Sequence, residues 1–289
     1  IISGLVGSEM CIRDRPTKED LDDVELVVFD IQDVGVRFYT YISTLHYVME
    51  ACAEHGLPLL VLDRPNPNGD YIDGPVLEMA HKSFVGMHPV PVVHGMTIGE
   101  YASMINGEYW LKDSLQCDLR VLECKNYHHS MHYSLPVPPS PNLRSDISIR
   151  LYPSLCFFEG TSISVGRGTD HPFELFGHPD MDKTNFSFKP ISKQGAIYPK
   201  HQNIQCGGVN LVNEALDSRF TLEYLMDALR FLKDPISTIN RKKFFVLLSG
   251  TEKLYNQIIN GLSEVEIRKT WRSDLDTYNA IRTRYLMYD

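Results

Sequence analysis

Motifs that would point to a membrane, a nucleic acid or a nucleotide are missing from this 289-residue sequence. It has no apolar run of about 18 or more residues, so no membrane span is predicted. It has no block of clustered lysine and arginine, and its net charge of −9 argues against a nucleic-acid partner, because phosphate binding depends on clustered cations. Neither a GxxxxGKS/T loop nor a GxGxxG after a strand occurs, so nucleotide binding is not supported.

Cysteine pairs at the spacing of metal sites are also lacking. The six cysteines are scattered and include no CxxC, which favours unpaired, buried thiols over a zinc site or a disulfide framework. His128, His129 and His132 offer an i, i+3 pair, but no third ligand follows at a recognisable spacing and HExxH is absent. No metal site is predicted.

The first residues do not have the order of basic, apolar and small residues that marks a signal peptide. Residues 1–15, IISGLVGSEMCIRDR, resemble a translated sequencing-adapter scar. We expect them to be non-native, with the authentic sequence starting near Pro16.

A strand–helix–strand pattern follows. Apolar runs predict strands at residues 24–29 and 59–62, and apolar side chains at 3.6-residue spacing predict a helix over residues 40–55 between them. Such a unit has parallel strands and a right-handed crossover, and ligands bind outside the carboxyl ends of its strands. Asp30 and Asp63 directly follow the two strands, so both are predicted to lie at the ligand edge.

The next segments are irregular at first and then regular. Residues 64–95 are rich in proline and glycine and predict a long ordered loop. Thr97 and Glu100 form a capping box that predicts a helix to about residue 110, and residues 117–124 alternate like a strand.

The remainder of the chain reads as α+β. An apolar stretch at residues 147–158 predicts a strand, and Thr221 is predicted to open a helix. Ser263 and Glu266 form a second capping box, followed by apolar residues at helical spacing, which predicts one long C-terminal helix.

Charged and aromatic side chains are concentrated after the first strand, in FDIQDVGVRFYTY at residues 29–41. Carboxylates at the sheet edge with arginine counter-charges, Arg37 and Arg64, could form the floor of a polar pocket, or they could simply cap loops and helices. Tyr39 and Tyr41 either pack at the rim or offer a platform to a sugar ring, whose apolar C–H face stacks on aromatic faces.

Three further segments could add polar groups to this pocket. Asn66 lies in a proline-rich turn, and Asp73 lies in a stiff Asp-Gly-Pro loop, although turn chemistry alone also explains these residue types. His94 precedes the capped helix, whose N-terminus disfavours a protonated imidazole. A neutral His94 could bind an acetamido or carboxylate group, and a structural role is the alternative.

The most suggestive stretch of the second half is FEGT followed by GRGT. Glu159 comes directly after the apolar stretch and precedes a glycine-rich turn that carries Arg167 and Thr169. This arrangement resembles a pocket wall, and a buried Glu159 satisfied by turn amides is the alternative reading. The residues alone therefore favour a carbohydrate-acting enzyme without naming its sugar.

A set of motifs gives the sequence a family resemblance. The motifs are FDIQDVGVRFYTYIST, LDRPNPNG, DGPVLE, SFVGMHPVPVVHGMTIGE, PPSPNL, LYPSLCFFEGTSISVGRGTDHPFE and CGGV. Together they resemble the NamZ exo-β-N-acetylmuramidase family, formerly domain of unknown function 1343 and now glycoside hydrolase family 171. The likeness runs from about residue 16 to residue 289.

The resemblance implies a fold and an activity. It implies an α/β protein with a Rossmann-like parallel-sheet domain, incomplete at its N-terminus, over residues 16–124, and a smaller α+β domain over residues 125–289. The active-site cleft would lie between them. The implied activity removes N-acetylmuramic acid from the non-reducing ends of peptidoglycan fragments, without a cofactor. A periplasmic or secreted location is implied as well.

One family motif, Gly-Pro-Glu-His-Gly, has no match in this sequence. Its glutamate is the usual candidate for the catalytic acid, so we expect the chain to be truncated at its N-terminus and to lack that acid. Glycosidases also need a second group, for which Glu159 and Asp30 are the leading candidates and Asp73 the next.

The resemblance also implies which residues hold the sugar. Arg37, Arg64 and Arg167 are candidates for pairing with the lactyl carboxylate of muramic acid. The other side chains predicted to line the site are Asp33, Tyr39, Tyr41, Asp63, Asn66, His94, Asn142 and Thr169.

Two other classes of function remain open at this point. A non-catalytic cell-wall sugar-binding protein would use the same aromatic rings and arginines. A carbohydrate esterase or amidase would need a nucleophile and its base, for which Ser140 or Ser164 with His94 is a weak candidate pair, since no GxSxG occurs.

Overall fold

The structure, a computed structural model, describes residues 15–182, 184–217 and 219–289. The segment predicted to be non-native lies outside these residues, apart from Arg15.

A parallel sheet with strand order β1-β2-β3 forms the first part of the fold. Its strands are β1 (Val27–Phe29), β2 (Leu59–Leu62) and β3 (Leu119–Leu122). The helices of this part are α1 (Lys18–Leu21), α2 (Tyr41–His55) and α3 (Ile98–Gly107). Helix α2 connects β1 to its parallel neighbour β2, which confirms the predicted strand–helix–strand unit.

Local sequence signals fix the ends of these helices. Gly56 ends α2 in the left-handed conformation (φ 65°), and its amide donates to the carbonyl of Cys52. Thr97 starts α3: its amide donates to Glu100 Oε2 at 2.8 Å, and its hydroxyl accepts from the Glu100 amide. The predicted capping box is confirmed. The predicted loop over residues 64–95 is irregular, apart from one short turn of 3-10 helix.

The stretch predicted as a strand at residues 147–158 is a helix instead. Helix α4 (Asp146–Leu155) begins at Ser145, whose hydroxyl accepts from the amide of Ser148, and it continues into a 3-10 turn at Cys156–Gly160. The prediction was wrong because the helix is buried on almost every side. An element that is buried all round loses its polar face, so apolar periodicity cannot separate helix from strand.

An antiparallel sheet with order β4-β6-β5 characterises the smaller second part. Its strands are β4 (Leu175–His178), β5 (Phe186–Phe188) and β6 (Cys206–Asn210). Its helices are α5 (Glu223–Leu232), α6 (Pro235–Thr238), α7 (Lys242–Ser249), α8 (Glu252–Ile259), α9 (Glu264–Lys269) and α10 (Arg272–Arg282). A parallel sheet with helices followed by this smaller domain confirms the predicted α/β class.

The predicted long C-terminal helix is divided in two. The Ser263–Glu266 capping box is present and starts α9, but α9 ends before Trp271 and α10 begins after it. Trp271 is buried and packs beside Phe220, with ring centroids 6.3 Å apart. Burying this large ring sets the direction of the turn between the two helices.

Helix α10 returns to the first part of the fold. The Tyr278 hydroxyl donates to the carbonyl of His94 at 2.7 Å, and Arg282 donates to the carbonyl of Gly95. Tyr278 belongs to the apolar core that is built mainly on α2, α3 and the parallel sheet. Further along, the Tyr288 hydroxyl donates to Asp63 Oδ2 at 2.6 Å. The two parts of the chain therefore share one packed body.

A network of buried polar side chains lies between α2 and α3. His88 Nε2 is 2.9 Å from His46 Nδ1, and His88 Nδ1 is 3.1 Å from the hydroxyl of Tyr101. His46 Nε2 lies 3.2 Å from Glu50 Oε1. Burial lowers the pKa of His46 to about 4, although Glu50 acts in the opposite direction, and burial lowers the pKa of His88 well below its ordinary value. Both histidines are therefore neutral in the folded protein at neutral pH.

We expect the free energy of unfolding to fall as the pH drops from about 6.5 to about 4. Unfolded histidines bind protons below about pH 6.5, whereas folded His46 does so only near pH 4, so protons favour the unfolded chain in this window. The loss should be on the order of 2 kcal/mol, measured by urea denaturation across this range.

A matched set of variants isolates this contribution from other groups that titrate in acid. The double variant His46→Gln and His88→Gln should flatten the pH dependence, while His55→Gln, at the exposed end of α2, should leave it unchanged. A double variant with the wild-type slope would contradict the assignment.

Candidate active site

A ladder of aromatic rings crosses from the loop after β1 to the second part of the fold. Tyr41, Tyr39, Tyr152 and Phe173 meet edge to face, with successive centroids 5.3, 6.0 and 5.1 Å apart. Such pairs stabilise beyond their buried area. Tyr39 donates from its hydroxyl to the carbonyl of Pro139 at 2.7 Å. Tyr39 and Tyr41 are half-buried and keep part of their surface open to solvent.

A carboxylate and two cations lie near one end of this ladder. Arg167 Nε donates to Glu159 Oε1 at 2.7 Å, and the guanidinium lies over the ring of Phe173, 5.0 Å from its centroid. Burial alone would raise the pKa of Glu159, but the positive charges of Arg167 and Lys200 lower it below its ordinary value. Glu159 is therefore ionised at neutral pH, and it already forms an ion pair with Arg167.

Arg167 is held on one edge and open on the other. Its Nε is bonded to Glu159, and no described residue accepts a hydrogen bond from its two terminal nitrogens. Its side chain is 36% exposed. A guanidinium fixed in this way presents two parallel donors, which is the geometry that a carboxylate accepts in bidentate fashion.

Lys200 is a member of this cluster that sequence reasoning missed. Its ammonium donates to the carbonyls of Phe158, Thr161 and Ile163 at 2.8, 2.6 and 3.2 Å. Burial lowers the pKa of Lys200 to about 8, because neutral carbonyls compensate its charge only in part. No local motif marks this lysine, which lies about 40 residues beyond the turn that it binds.

A second polar pair lies near the other end of the ladder. Asp33 Oδ2 accepts from the amide of Gly35 at 2.7 Å and is 3.5 Å from His94 Nε2. The His94 ring packs on Tyr101 with centroids 4.9 Å apart. Both Asp33 and His94 are buried, and Asp33 Oδ1 and His94 Nε2 have no hydrogen-bond partner among the described residues. Burial raises the pKa of Tyr41, and the charge of Asp33 adds to the rise.

Arg37, predicted to hold a sugar carboxylate, is instead a structural residue. Its side chain is completely buried and donates to the carbonyls of Pro75, Val90 and Leu248 at 2.8, 2.7 and 2.8 Å. Burial removes it from any ligand that approaches from solvent. The sequence could not show this, because the partners are backbone atoms far away along the chain.

The predicted carboxylates at the sheet edge separate into different environments. Asp30 is exposed and pairs with Arg64, whose Nε lies 2.7 Å from Asp30 Oδ1. Asp63 instead accepts from the Thr97 hydroxyl, the Gly99 amide and the Tyr288 hydroxyl. Burial raises its pKa, and these hydrogen bonds oppose the rise. Asp63 thus anchors the start of α3, as the alternative reading held.

Four other predicted residues are hydrogen-bonded to other parts of the protein. Asn66 donates to the carbonyl of Met96 and accepts from the amide of Asn68. Asp73 is hydrogen-bonded to Arg268 and to the Gly74 amide. Asn142 donates to the carbonyl of Gly195, and Thr169 donates to the carbonyl of Gly166. Asp73 therefore lies with Arg268 and not with Glu159, whereas Asn142 and Thr169 lie in the segments that flank the ladder.

The serine–histidine pairs considered for an esterase or amidase find no support in the part of the chain that the structure describes. No group of three or more His, Cys, Asp and Glu residues there is placed to hold a metal ion. Ser140 and Ser164 accept hydrogen bonds from nearby amides, and neither is bonded to His94. No described helix is long and apolar enough to cross a membrane.

Fold and site together define an α/β protein with a polar, aromatic-lined site between two parts of one chain. The family models described as "Exo-beta-N-acetylmuramidase NamZ", N-terminal and C-terminal, match residues 5–147 and 150–288. The chain belongs to this family of glycoside hydrolases. The models meet near residue 150, while the division predicted after residue 124 remains a prediction.

Similar proteins agree with this placement. The chain is 39% identical over 297 aligned residues to the peptidoglycan beta-N-acetylmuramidase NamZ of Bacillus subtilis (strain 168), with 95% of this chain and 70% of that protein covered. Two crystal structures of DUF1343 family proteins from Bacteroides fragilis superpose with TM-scores of 0.92 and 0.82 at 46% and 28% identity. Each alignment covers 95% of this chain and 78% of the other.

Proposed function

We propose that this protein releases N-acetylmuramic acid from the non-reducing ends of peptidoglycan fragments. The observation that carries the proposal is the match of both halves of the chain to the two NamZ models. The site adds chemical support, since it combines aromatic surface with an open guanidinium. Muramic acid differs from other amino sugars of the cell wall by its lactyl carboxylate, so a carboxylate-binding arginine is the feature that the substrate requires.

Arg167 is the residue that we assign to the lactyl carboxylate. Its terminal nitrogens have no hydrogen-bond partner among the described residues. Lys200 adds a second positive charge, and its ammonium is bonded to three neutral carbonyls, without a salt bridge to any carboxylate of the described residues. The pair therefore gives the site a positive potential suited to an anionic sugar.

Glu159 fits the role of a positioning residue better than that of a general acid. Its Oε1 fixes Arg167 Nε, and its lowered pKa rules out proton donation at neutral pH. Among the buried side chains that the structure describes, Asp33 is a carboxylate whose Oδ1 has no hydrogen-bond partner. Asp33 is buried beside His94 at the other end of the ladder, so we assign it a structural role there and no direct contact with the sugar.

Replacing Arg167 with alanine should raise KM for a chromogenic N-acetylmuramic acid glycoside by about 10- to 100-fold, because a charge-assisted hydrogen-bond pair is lost. Arg167→Lys should recover only part of this, since an ammonium cannot make the bidentate contact. The same variants should leave the affinity for N-acetylglucosamine, which has no carboxylate, almost unchanged.

Arg37→Lys is the matched control for Arg167. It should lower the thermal midpoint because the carbonyls lose partners, while KM stays within about twofold of the wild type. A KM that responds to Arg37 and not to Arg167 would reverse the two assignments.

Product analysis distinguishes the three classes of function. This sequence has no match to the Gly-Pro-Glu-His-Gly motif, so the test uses the protein supplied with that segment. Incubated with peptidoglycan fragments, it should release free N-acetylmuramic acid, detected by mass spectrometry. Release of acetate or peptide would instead show an esterase or amidase. Binding of the fragments without any product would show a sugar-binding protein.

We also propose that the protein acts in the periplasm or outside the cell. The support is the location of peptidoglycan, the substrate named for the Bacillus subtilis relative. Fractionation of the source cells with an antibody against the protein should place it in the periplasmic or secreted fraction, and recovery in the cytoplasmic fraction alone would overturn the proposal.

A further inference from the structure

The loop that connects β5 to β6, residues 189–205, is fastened to the turn that carries Glu159. Lys200 donates to three carbonyls of the 158–163 segment, as described above. The next residue, His201, has its Nε2 2.7 Å from the carbonyl of Ser162. This part of the β5–β6 loop is therefore held against the segment that carries Glu159, at one end of the candidate site.

The same loop is also fastened to the two other segments that flank the site. The amide of Ile191 donates to the carbonyl of Gly168 at 2.9 Å, one residue beyond Arg167. Pro199 packs against Gly168 so closely that a Cβ there would lie 2.7 Å from Pro199 Cγ. Asn142 donates to the carbonyl of Gly195 at 2.9 Å. The β5–β6 loop thus bridges the GRGT turn and the PPSPN segment along one rim of the site.

Between these anchors the loop exposes large apolar side chains. Tyr198 is 90% exposed and Ile197 is 62% exposed, although the chain around them is fixed at residues 195, 199 and 200. An exposed ring on an anchored backbone loses little conformational entropy when it binds a ligand, which makes such positions effective recognition sites. Tyr198 directly precedes Pro199, which packs against Gly168, the residue after Arg167. Its backbone therefore lies beside the turn that carries the proposed carboxylate-binding arginine.

We infer that Tyr198 is the stacking platform for the leaving-group sugar, the residue on the reducing side of the scissile bond. This inference rests on the proposed function. An exo-acting glycosidase holds a single sugar on the non-reducing side of the cleaved bond, so a saccharide contact beyond that pocket belongs to the leaving group. The apolar face of an N-acetylglucosamine ring matches the exposed ring of Tyr198, with Ile197 extending the apolar surface.

The test compares two ligands that the enzyme does not cleave. N-acetylmuramic acid fills the sugar pocket alone, and a thio-linked N-acetylmuramyl-N-acetylglucosamine disaccharide fills the pocket and the platform. Calorimetry should show that wild-type protein binds the disaccharide about three- to tenfold more tightly than the monosaccharide. Tyr198→Ala should abolish this advantage and leave the monosaccharide affinity unchanged, while Tyr198→Phe, which keeps the ring, should retain most of it.

Tyr109→Ala is the matched control, because Tyr109 is 61% exposed and follows α3 in the parallel-sheet part of the fold. It should bind both ligands as the wild type does. An advantage for the disaccharide that survives in Tyr198→Ala, or a wild type that binds both ligands equally, would overturn the inference alone. Failure of the wild type to bind either ligand would overturn the proposed function instead.

Discussion

A single buried guanidinium joins the parts of the chain on which the site depends. Arg37 donates to carbonyls of the loop between β2 and α3 and to Leu248 at the end of α7. Gly250 leaves room for it, since a Cβ there would lie 2.8 Å from a terminal nitrogen of Arg37, and its φ of 73° also favours glycine. A buried charge requires hydrogen-bond partners, and the three carbonyls supply them to the terminal nitrogens, while Nε has none among the described residues. These bonds hold the loop after β1 in a fixed relation to the second part of the fold.

Because the two parts of the fold are held in this fixed relation, the aromatic ladder connects two groups of polar residues with different chemistry. Asp33 and His94 come from loops of the parallel-sheet part, whereas Glu159, Arg167 and Lys200 come from the second part. The Glu159–Arg167 pair shows how one residue sets the availability of another: the carboxylate occupies Nε and leaves the far edge of the guanidinium for a ligand. Fixing the donors before binding reduces the entropy lost when a sugar carboxylate arrives.

The sequence predicted helix ends correctly where neighbouring residues determine them. The capping boxes at Thr97 and Ser263 and the glycine that ends α2 are present as expected, because each depends on residues within one turn of helix. The helix at residues 146–155 was missed because its burial hides the period. The structural role of Arg37 and the place of Lys200 in the site could not be predicted from the sequence. Both side chains bind backbone carbonyls, which every residue has, so no residue type marks these partners.

The return of α10 to the first part of the fold has a consequence for the order in which the protein is assembled. Tyr278 completes a core otherwise built on α2, α3 and the parallel sheet, and Tyr288 binds the carboxylate that anchors α3. During synthesis these residues leave the ribosome after all the others that they contact. The first part of the fold therefore completes its packing only after residue 288 has been synthesised, which couples the packing of the two family segments.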